Sequence, residues 1–347
     1  MDFLRIGLIG CGKMMGAHVR GVQMVKNAQI TCVCDVIREN AQAVSDTLPN
    51  HPKIYTDYRE MADEVDAVMI ALPHDLHYEC GMFFAKRGKH ILMEKPLCNT
   101  EEECLSLIET CEARDLTLMC AYPVPYWTGI EKLKALVDSG EYGKIMQMSV
   151  WTEQLTVCDI NERPWAASAR IGGGQLFSHG CHYIDLMLRF LGNPVEGAHV
   201  GTRIGTPWLL KEGTSAVILR FESGAIGYHG ATWGARGTRL GYDFQIQTEK
   251  AMLEYDHTGG EVRVYDENGE HRPGYNEENK NRKYTVVWKR DEDAGKMTQH
   301  EIAHFADCVL NHKVPITDGR SALRSLRVIW ELYNAEKNHK LADLRGI

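Results

Sequence analysis

The segment FLRIGLIGCG, residues 3–12, decides the fold of the N-terminal region. Its apolar run lacks polar alternation, which is typical of a strand buried on both faces. The run ends in Gly10-Cys11-Gly12, and a helical pattern follows over residues 13–25. Glycines at such a turn allow a tight bend and a close approach of the backbone to a pyrophosphate. The segment therefore predicts a buried strand, a glycine turn and a helix.

The same alternation of strand and helix continues through the first third of the chain. Strands are predicted over residues 3–9, 30–34, 67–72, 90–93 and 116–121, and helices over 13–25, 75–87 and 101–113. Thr100 and Glu103 form the pattern of a capping box at the start of the last helix. Strands that alternate with helices predict an α/β fold with a doubly wound parallel sheet of the Rossmann type.

The pattern changes after Tyr122, where Pro123 and Pro125 mark a break. Many of the following strands alternate apolar and polar residues, as one-sided antiparallel sheets do. They are predicted over 145–152, 214–221, 225–232, 242–248, 261–265 and 284–289, with helices over 128–138, 178–191, 299–311 and 321–338. We therefore expect a dinucleotide-binding domain over residues 1–122 and an α+β domain with a large, mostly antiparallel sheet over 123–347.

Composition narrows the class of protein. A chain of 347 residues favours two domains, and a net charge of −8 argues against a nucleic-acid partner. The 11 cysteines form no C-x-x-C pair, which favours reduced thiols over a disulfide framework or a redox site. The start of the chain has no signal-peptide pattern, and no apolar stretch approaches the length of a membrane span. These features predict a cytoplasmic protein without a membrane partner.

The glycine turn is a candidate cofactor site, formed by Gly10, Cys11, Gly12, Lys13, Met14 and Met15. Met15 stands where the full dinucleotide fingerprint has a small residue, and the same glycines also suit an ordinary strand-to-helix turn. Asp35 ends the second predicted strand, 25 residues after Gly10, near the spacing of the acidic residue that binds the adenosine ribose. The order of strand, glycines, helix, strand and acid favours the cofactor interpretation.

Asp35 also bears on the choice of cofactor. Its carboxylate would accept hydrogen bonds from the ribose hydroxyls and repel a 2′-phosphate, which favours NAD over NADP. Arg38, three residues later, leaves NADP as the second interpretation. Asp35 could alternatively cap the next helix, as aspartate often does.

Two further loops follow predicted strands and belong to the same candidate site. Leu72, Pro73 and His74 lie where ligands of doubly wound folds bind, although a plain loop also explains His74. Glu94 and Lys95 close another apolar strand. Pro96 restricts Lys95 to an extended conformation, so we expect the ammonium group of Lys95 to point out of the sheet crevice. The alternative is that Lys95 is an ordinary surface lysine.

The triple glycine 172–174 precedes the second catalytic candidate. In a helix over 178–191, Ser178, His182, Asp185 and Arg189 share one side, and the apolar residues share the other. A histidine grouped with serine, aspartate and arginine is a better catalytic candidate than a lone histidine. His179 and His182 stand three apart, but no third metal ligand is evident nearby, so no metal is predicted.

Taken together, these motifs resemble the Gfo/Idh/MocA family, named after glucose–fructose oxidoreductase and inositol dehydrogenase. The resemblance covers essentially the whole chain. In the first domain it is carried by Gly10-x-Gly12 with His18, by Pro73 with His77, and by residues 88–90 that lead to Glu94-Lys95-Pro96. In the second it is carried by residues 163–165 with Trp165, by the triple glycine with His182 and Asp185, and by Asp318-Gly319 before the closing helix. The resemblance implies that Lys95 and His182 are the catalytic pair, that His77 and Glu94 adjoin the cofactor, and that the protein forms a homo-dimer or homo-tetramer through the second-domain sheet.

The chain departs from the family pattern at Ser178. Family members such as inositol dehydrogenase have an aspartate four residues before the catalytic histidine. Ser178 therefore predicts that the aspartate-to-histidine relay is absent or rebuilt through Asp185 or His179, and it argues against inositol itself. An arginine common after the strand over 116–121 is also missing.

Aromatic residues favour a carbohydrate substrate over a small acid. Tyr126, Trp151 and Trp165 fall at candidate positions for stacking on a sugar ring, although core positions explain them equally well. We therefore expect an NAD-dependent oxidoreductase acting on a secondary hydroxyl of a sugar, glycoside or polyol. Two alternatives remain: a glycoside-cleaving enzyme that uses transient oxidation and elimination, and a non-catalytic nucleotide-binding sensor.

Overall fold

The chain divides into two compact units. The computed structural model describes residues 3–12, 14–156, 172–269, 283–291 and 297–347. The first unit comprises Met1–Pro123, Arg170–Gly172 and Lys296–Leu326, and the second comprises Val124–Ala169, Gly173–Gly295 and Arg327–Ile347. The division expected from the sequence left residues 296–326 in the second domain, whereas the structure groups them with the first unit.

The first unit contains a six-stranded parallel sheet. Its strands are β1 (Leu4–Ile9), β2 (Ala28–Cys34), β3 (Lys53–Tyr55), β4 (Ala67–Ile70), β5 (His90–Glu94) and β6 (Leu118–Ala121). They pair in the order β3-β2-β1-β4-β5-β6, each parallel to its neighbours. This order confirms the doubly wound fold predicted from the alternation of strands and helices. Strand β3 was not predicted, because it has only three residues.

Helices α1 (Met15–Gln23), α2 (Arg38–Asp46), α3 (His77–Ala85), α4 (Glu101–Glu112) and α7 (Gln299–Asn311) belong to this unit. The capping box of Thr100 and Glu103 is present at the start of α4, as predicted. Helix α7 approaches α1 closely at Gly21, where a Cβ would overlap the side chain of Ile302. The hydroxyl of Thr298 also donates a hydrogen bond to the carbonyl of Ala17 (2.9 Å). These contacts explain why the α7 segment belongs to the first unit.

The second unit is built on a nine-stranded sheet. Its strands are β7 (Ile145–Glu153), β8 (Pro194–Thr202), β9 (Thr214–Phe221), β10 (Ile226–Thr232), β11 (Tyr242–Thr248), β12 (Met252–Asp256), β13 (Glu261–Tyr265), β14 (Tyr284–Lys289) and β15 (Ala342–Asp343). They pair in the order β14-β13-β12-β11-β7-β10-β9-β8-β15. The pair β7–β10 is parallel and the other neighbours are antiparallel, which confirms the predicted, mostly antiparallel sheet.

Helices α5 (Thr128–Asp138) and α6 (Cys181–Leu191) cover one face of this sheet. Glycines allow the close approach: a Cβ on Gly129 of α5 would overlap the ring of Tyr255, and one on Gly227 of β10 would press on Met187. Helix α8 (Gly319–Lys337) begins in the first unit and ends in the second. Within the described ranges, we find no helix with both the length and the apolar character needed to cross a membrane.

The helix predicted over residues 178–191 starts later than expected. Residues Leu176–Gly180 form a π-helical turn, and α6 begins at Cys181. The wider turn gives Ser178 a different angular spacing from that of the α-helix that carries His182. The prediction of one continuous α-helix over 178–191 was therefore wrong at its start, since sequence periodicity does not reveal a π-turn.

Candidate active site

The carboxyl ends of four parallel strands meet at one edge of the six-stranded sheet. Gly10 follows β1, Asp35 follows β2, Leu72 comes soon after β4, and Lys95 follows β5 directly. The strand order reverses between β1 and β4, which is the switch point where doubly wound folds bind dinucleotides. The fold therefore brings the predicted cofactor residues of these loops to one edge.

The glycine turn has the geometry that a bound pyrophosphate needs. Gly10 has φ of +85°, and a Cβ there would overlap the carbonyl oxygen of Ala71. At Gly12, no described heavy atom lies within 4 Å of the place that a Cβ would take, so the space in front of α1 is open. Met14 precedes α1, and Met15 is fully buried, so its side chain faces the core. Lys13 lies outside the described residues.

Asp35 connects the glycine turn to the loop before α2 by hydrogen bonds. Its Oδ2 accepts a hydrogen bond from the amide of Cys11 (2.8 Å), and its Oδ1 accepts one from the amide of Ile37 (2.9 Å). The helix-cap position itself is Ile37, two residues later. Because a carboxylate offers about four acceptor positions, Asp35 retains capacity for a ribose hydroxyl. Arg38 is the first residue of α2 and is exposed.

His77 links two of the loops at this edge of the six-stranded sheet. It is fully buried, and its ring nitrogens lie 2.8 Å from the carbonyl oxygen of Pro96 and 2.9 Å from that of Leu72. Burial lowers the pKa of His77, against the opposing effect of the two carbonyls. The imidazole thus holds the loop after β4 to the loop after β5. The neighbouring ring of His74 is also buried, with its centroid 5.7 Å away.

Glu94 is hydrogen-bonded to the backbone of Lys95. It is 7% exposed; its Oε2 accepts a hydrogen bond from the amide of Lys95 (3.1 Å), and its Oε1 accepts one from Nε2 of His18 (2.6 Å). Lys95 itself is partly exposed. The carboxylate therefore orients the Lys95 backbone and is held in place by a buried histidine of α1.

In the second unit, His182 lies in the first turn of α6 and is 7% exposed. The predicted apolar side of this helix is confirmed, since its members are buried: Ile184, Met187, Leu188 and Leu191. Asp185 is 2% exposed, and Arg189 donates to both of its oxygens (2.6 and 3.3 Å). The Asp185 carboxylate is thus held by the next turn of its own helix.

His179 and Ser178 lie in the π-helical turn that precedes α6. The ring of His179 lies edge-to-face against that of His182, with centroids 5.7 Å apart. Its Nδ1 is 3.4 Å from the side-chain amide nitrogen of Gln175, and its Nε2 is 3.5 Å from the hydroxyl of Tyr183. Ser178 is buried. The structure therefore places the ring of His179 beside that of His182.

A hydroxyl and a carboxylate anchor the start of this turn. The hydroxyl of Tyr333 donates to Oε1 of Glu212 (2.6 Å) and accepts from the amides of Gly174 (3.3 Å) and Phe177 (3.2 Å). The same Oε1 accepts from the amide of Leu176 (3.1 Å). Amides at a helix start lack intrahelical partners, so these bonds fix the position from which α6 begins.

The structure describes two of the three predicted aromatic residues. Tyr126 is buried in a short 3₁₀ turn. Trp151 packs on Tyr228 (centroids 5.0 Å apart), on the sheet face opposite α6, so the structure does not place it beside His182. The cause is the alternation of side chains along β7, where neighbouring Val150 faces the helices. Trp165 lies outside the described residues.

Both halves of the chain match family models. Residues 4–122 match the model described as the oxidoreductase family with an NAD-binding Rossmann fold, and residues 130–254 match the GFO/IDH/MocA C-terminal domain. The chain belongs to the Gfo/Idh/MocA oxidoreductase family. The resemblance drawn from the sequence motifs is thereby confirmed, and the first unit of this Gfo/Idh/MocA protein is an NAD-binding Rossmann domain.

Relatives within the family act on different compounds. The chain is 27% identical over 250 residues to a myo-inositol 2-dehydrogenase of Thermotoga maritima, covering 70% of this chain and 72% of the relative. It is 26% identical over 272 residues to a 2,7-anhydro-N-acetylneuraminate hydratase of Escherichia coli, covering 75% and 70%. A glucose-6-phosphate 3-dehydrogenase of Bacillus subtilis is 26% identical, but the match spans 53% of this chain and 52% of that enzyme.

Solved structures share the fold over the full chain. Levoglucosan dehydrogenase in complex with NADH superposes with a TM-score of 0.87 at 20% identity, covering 99% of this chain and 100% of the other. The WlbA dehydrogenase from Bordetella pertussis, in complex with NADH and UDP-GlcNAcA, gives 0.82 at 19% identity, covering 99% and 98%. At these identities the likeness establishes the fold alone.

Sequence reasoning did not assign a role to Glu301, Glu212 or Tyr333. A signal for Glu301 was present, because it falls on the helical stripe of α7 that includes the buried Phe305. Glu212 and Tyr333 carry no comparable signal. They are 121 residues apart in the sequence, and their hydrogen bond is visible only in the folded chain.

Proposed function

We propose that this Gfo/Idh/MocA protein is an NAD-dependent dehydrogenase acting on a secondary hydroxyl of a sugar, glycoside or polyol. The observation that carries the proposal is the convergence of Gly10, Asp35 and Lys95 at one edge of the parallel sheet. Relatives named as dehydrogenases of inositol and of glucose 6-phosphate support a polyhydroxylated substrate.

The residues at this edge fit NAD. The open space at Gly12 and the start of α1 suit the pyrophosphate, because amides at a helix start attract anions. Asp35 suits the ribose hydroxyls and disfavours a 2′-phosphate, so NAD is proposed over NADP, with exposed Arg38 as the feature that would favour NADP. When bound, NAD supplies the hydride acceptor for alcohol oxidation.

Lys95 and His182 are assigned the two remaining chemical tasks. His182 takes the hydroxyl proton, since imidazole is the side chain suited to base catalysis near neutral pH. Lys95 donates a hydrogen bond to the substrate oxygen and stabilises the developing alkoxide. His179 and Ser178, one turn before His182, are proposed to contact the substrate hydroxyls.

Replacement of the two catalytic candidates tests this assignment. Lys95→Ala and His182→Ala should each lower kcat/KM by on the order of 10²- to 10⁴-fold, because each removes a group that acts in the transition state. NADH binding, measured by fluorescence titration, should persist. The assay follows NADH absorbance with NAD⁺ or NADP⁺ and a panel of sugars, glycosides and inositols.

Matched controls separate chemistry from loss of folding. Lys86 and His300 are exposed residues of the first unit, so Lys86→Ala and His300→Ala should turn over like the wild type. Wild-type rates in Lys95→Ala or His182→Ala would refute the assigned role of that residue. NAD binding without turnover of any compound would instead favour a sensor.

A reaction without net redox is the second candidate function. Ser178 stands where the family resemblance implies an aspartate, and one relative is named a hydratase rather than a dehydrogenase. Transient oxidation beside the leaving group would acidify a C–H bond and allow elimination, after which the hydride returns. Release of an aglycone that needs catalytic NAD but accumulates no NADH would select this reaction over a simple dehydrogenation.

A further inference from the structure

Glu301 of α7 is a buried carboxyl group in the NAD-binding unit. Its side chain is fully buried, and neither carboxyl oxygen has a hydrogen-bond partner among the described residues. Burial of an ionised carboxylate without a partner is costly, so such a group takes up a proton instead. Burial, with a smaller contribution from Glu94, raises the pKa of Glu301 well above its ordinary value.

His18 faces this carboxyl from α1. Its side chain is 1% exposed, and its Nδ1 lies 4.0 Å from Oε1 of Glu301 and has no hydrogen-bond partner within the described ranges. The other ring nitrogen, Nε2, lies 2.6 Å from Oε1 of Glu94. The imidazole is therefore flanked by one carboxyl group from α7 and another from the end of β5.

The same chain of contacts continues to the catalytic candidate. Oε2 of Glu94 accepts the hydrogen bond from the amide of Lys95 (3.1 Å). The α1–α7 contact that holds Glu301 in place is tight, because Gly21 allows Ile302 to come close. Glu301 is thus linked to the backbone of Lys95 through the largely buried side chains of His18 and Glu94.

We propose that Glu301 is a positioning residue that directs a proton towards Nδ1 of His18. The other ring nitrogen of His18 then keeps its N–H directed at Glu94. The Glu94 carboxylate in turn stays hydrogen-bonded to the amide of Lys95. This role deepens the proposed function, because it serves the loop of the proposed catalytic lysine. With the proton on Glu301, His18 is neutral and Nδ1 is an acceptor. If a small rotation closes the 4.0 Å gap, the proton passes to Nδ1 and leaves an imidazolium between two carboxylates. The net charge of the three groups is −1 in either arrangement.

Infrared spectroscopy tests the proton on Glu301 without any turnover. All spectra are recorded in the Asp243→Asn background, because the pKa of Asp243 is raised to about 7 and its own carboxylic acid would absorb as well. At neutral pH, this background should contain the C=O band of a neutral carboxylic acid, which shifts in D₂O and disappears when Glu301→Gln is added. The matched control is Glu336→Gln, since Glu336 also contacts a histidine, His199 (2.7 Å), but its side chain is 35% exposed. This control should leave the band unchanged. A band that persists after Glu301→Gln is added, or is absent from the Asp243→Asn background, overturns the proposal.

The protonated nitrogen of His18 and the rate of turnover provide the second test. Glutamine can still donate to Nδ1, whereas leucine cannot. In nitrogen NMR, Glu301→Gln should keep the Nε2–H form of His18, and Glu301→Leu should lose that preference. Turnover should fall on the order of tenfold in Glu301→Leu, in kcat rather than KM, and recover in Glu301→Gln. An unchanged His18 signal in Glu301→Leu overturns the proposal.

The two proposals can fail separately. If the wild type oxidises no compound, the proposed function fails, while the infrared band and the His18 signal still decide the role of Glu301. If the wild type is active and Glu301→Leu turns over like it, Glu301 is merely a buried residue. Circular dichroism of each variant confirms that it is folded before the comparison is made.

Discussion

Asp243 of β11 shows how a single buried carboxyl group can set a pH dependence. It is 3% exposed, and its Oδ1 has no hydrogen-bond partner among the residues described. Burial, followed by repulsion from Glu254, raises the pKa of Asp243 to about 7. The nearby Arg263 guanidinium binds Glu254, Asp256 and Glu261 directly. Asp243 is therefore an acidic residue of this sheet whose ionisation the folded state resists.

We expect Asp243→Asn to remove one contribution to stability that falls as pH rises between about pH 4 and pH 7. The ordinary pKa of about 4 applies in the unfolded chain, so the folded state binds more protons in this window. The contribution of Asp243 to the free energy of unfolding therefore falls as pH rises, by on the order of 2 kcal/mol. Urea unfolding of wild type and Asp243→Asn at several pH values measures the difference.

Asp343 provides the control for this experiment. Its exposed carboxylate is held by Arg345, which lowers its pKa to about 2, so its contribution to stability is lost only at lower pH. Asp343→Asn should therefore keep the wild-type slope between about pH 5 and pH 8. A wild-type slope in Asp243→Asn as well would show that another group causes the pH dependence.

At the scale of elements, the start of α6 matters because His182 is in its first turn. Tyr333→Phe removes the hydroxyl that binds Glu212 and two amides of the preceding turn. We expect a loss of about 1 kcal/mol in stability and on the order of a tenfold loss in kcat, because a shift of α6 displaces His182. NADH binding should not change, since the nucleotide residues belong to the first unit.

The matched variant is Tyr78→Phe, which deletes a hydroxyl bonded to Ser106 (3.0 Å) in the first unit. It should cost similar stability while leaving kcat near the wild-type value. Equal kcat in Tyr333→Phe and Tyr78→Phe would mean that the anchor of α6 supports folding alone.

The elements that the sequence predicted are those with a strong apolar pattern. Helix α5 and strands β9, β11, β13 and β14 have the bounds expected from periodicity. Helix α2 was missed because it buries little more than Ala41 and Ser45, so it shows no apolar stripe. Strand β8 was missed because PVEGAHVGT combines proline and glycines with weak alternation. Tertiary contacts, rather than a local apolar pattern, stabilise this helix and this strand.

At the scale of the whole molecule, one face of the nine-stranded sheet presents several apolar side chains to solvent. Met187 of α6 lies against Gly227, on one face of the sheet. On the opposite face, Val200, Ile218 and Ile226 are 69%, 53% and 44% exposed. Exposed apolar surface of this kind is typical of protein–protein interfaces. It fits the expectation that the protein forms a homo-dimer or homo-tetramer.

We expect Ile218→Asp to shift the protein towards monomers in analytical ultracentrifugation, because a charge on this face would be buried against a second copy. The wild type should sediment as a dimer or tetramer. Val314→Asp introduces the same charge at a residue that is 76% exposed in the first unit, so it should leave the assembly intact. An unchanged assembly in Ile218→Asp would exclude this face as the interface.

The candidate site was predictable where it follows strand ends. Gly10, Asp35 and Lys95 each follow a buried strand, and parallel strands place such residues at one edge. Contacts between distant segments were not predictable in this way. Glu301 and His18 are far apart in the sequence, and their proximity depends on how α7 packs on α1.

The return of residues 296–326 to the first unit has a consequence for synthesis of the chain on the ribosome. The NAD-binding unit contains both the first strands and helix α7, with most of the second unit encoded between them. The surface of α1 that surrounds His18 therefore stays open until α7 has emerged. The nascent chain must carry an incomplete nucleotide-binding unit for much of its translation, and the buried residues of α1 that α7 later covers are exposed to solvent during that interval.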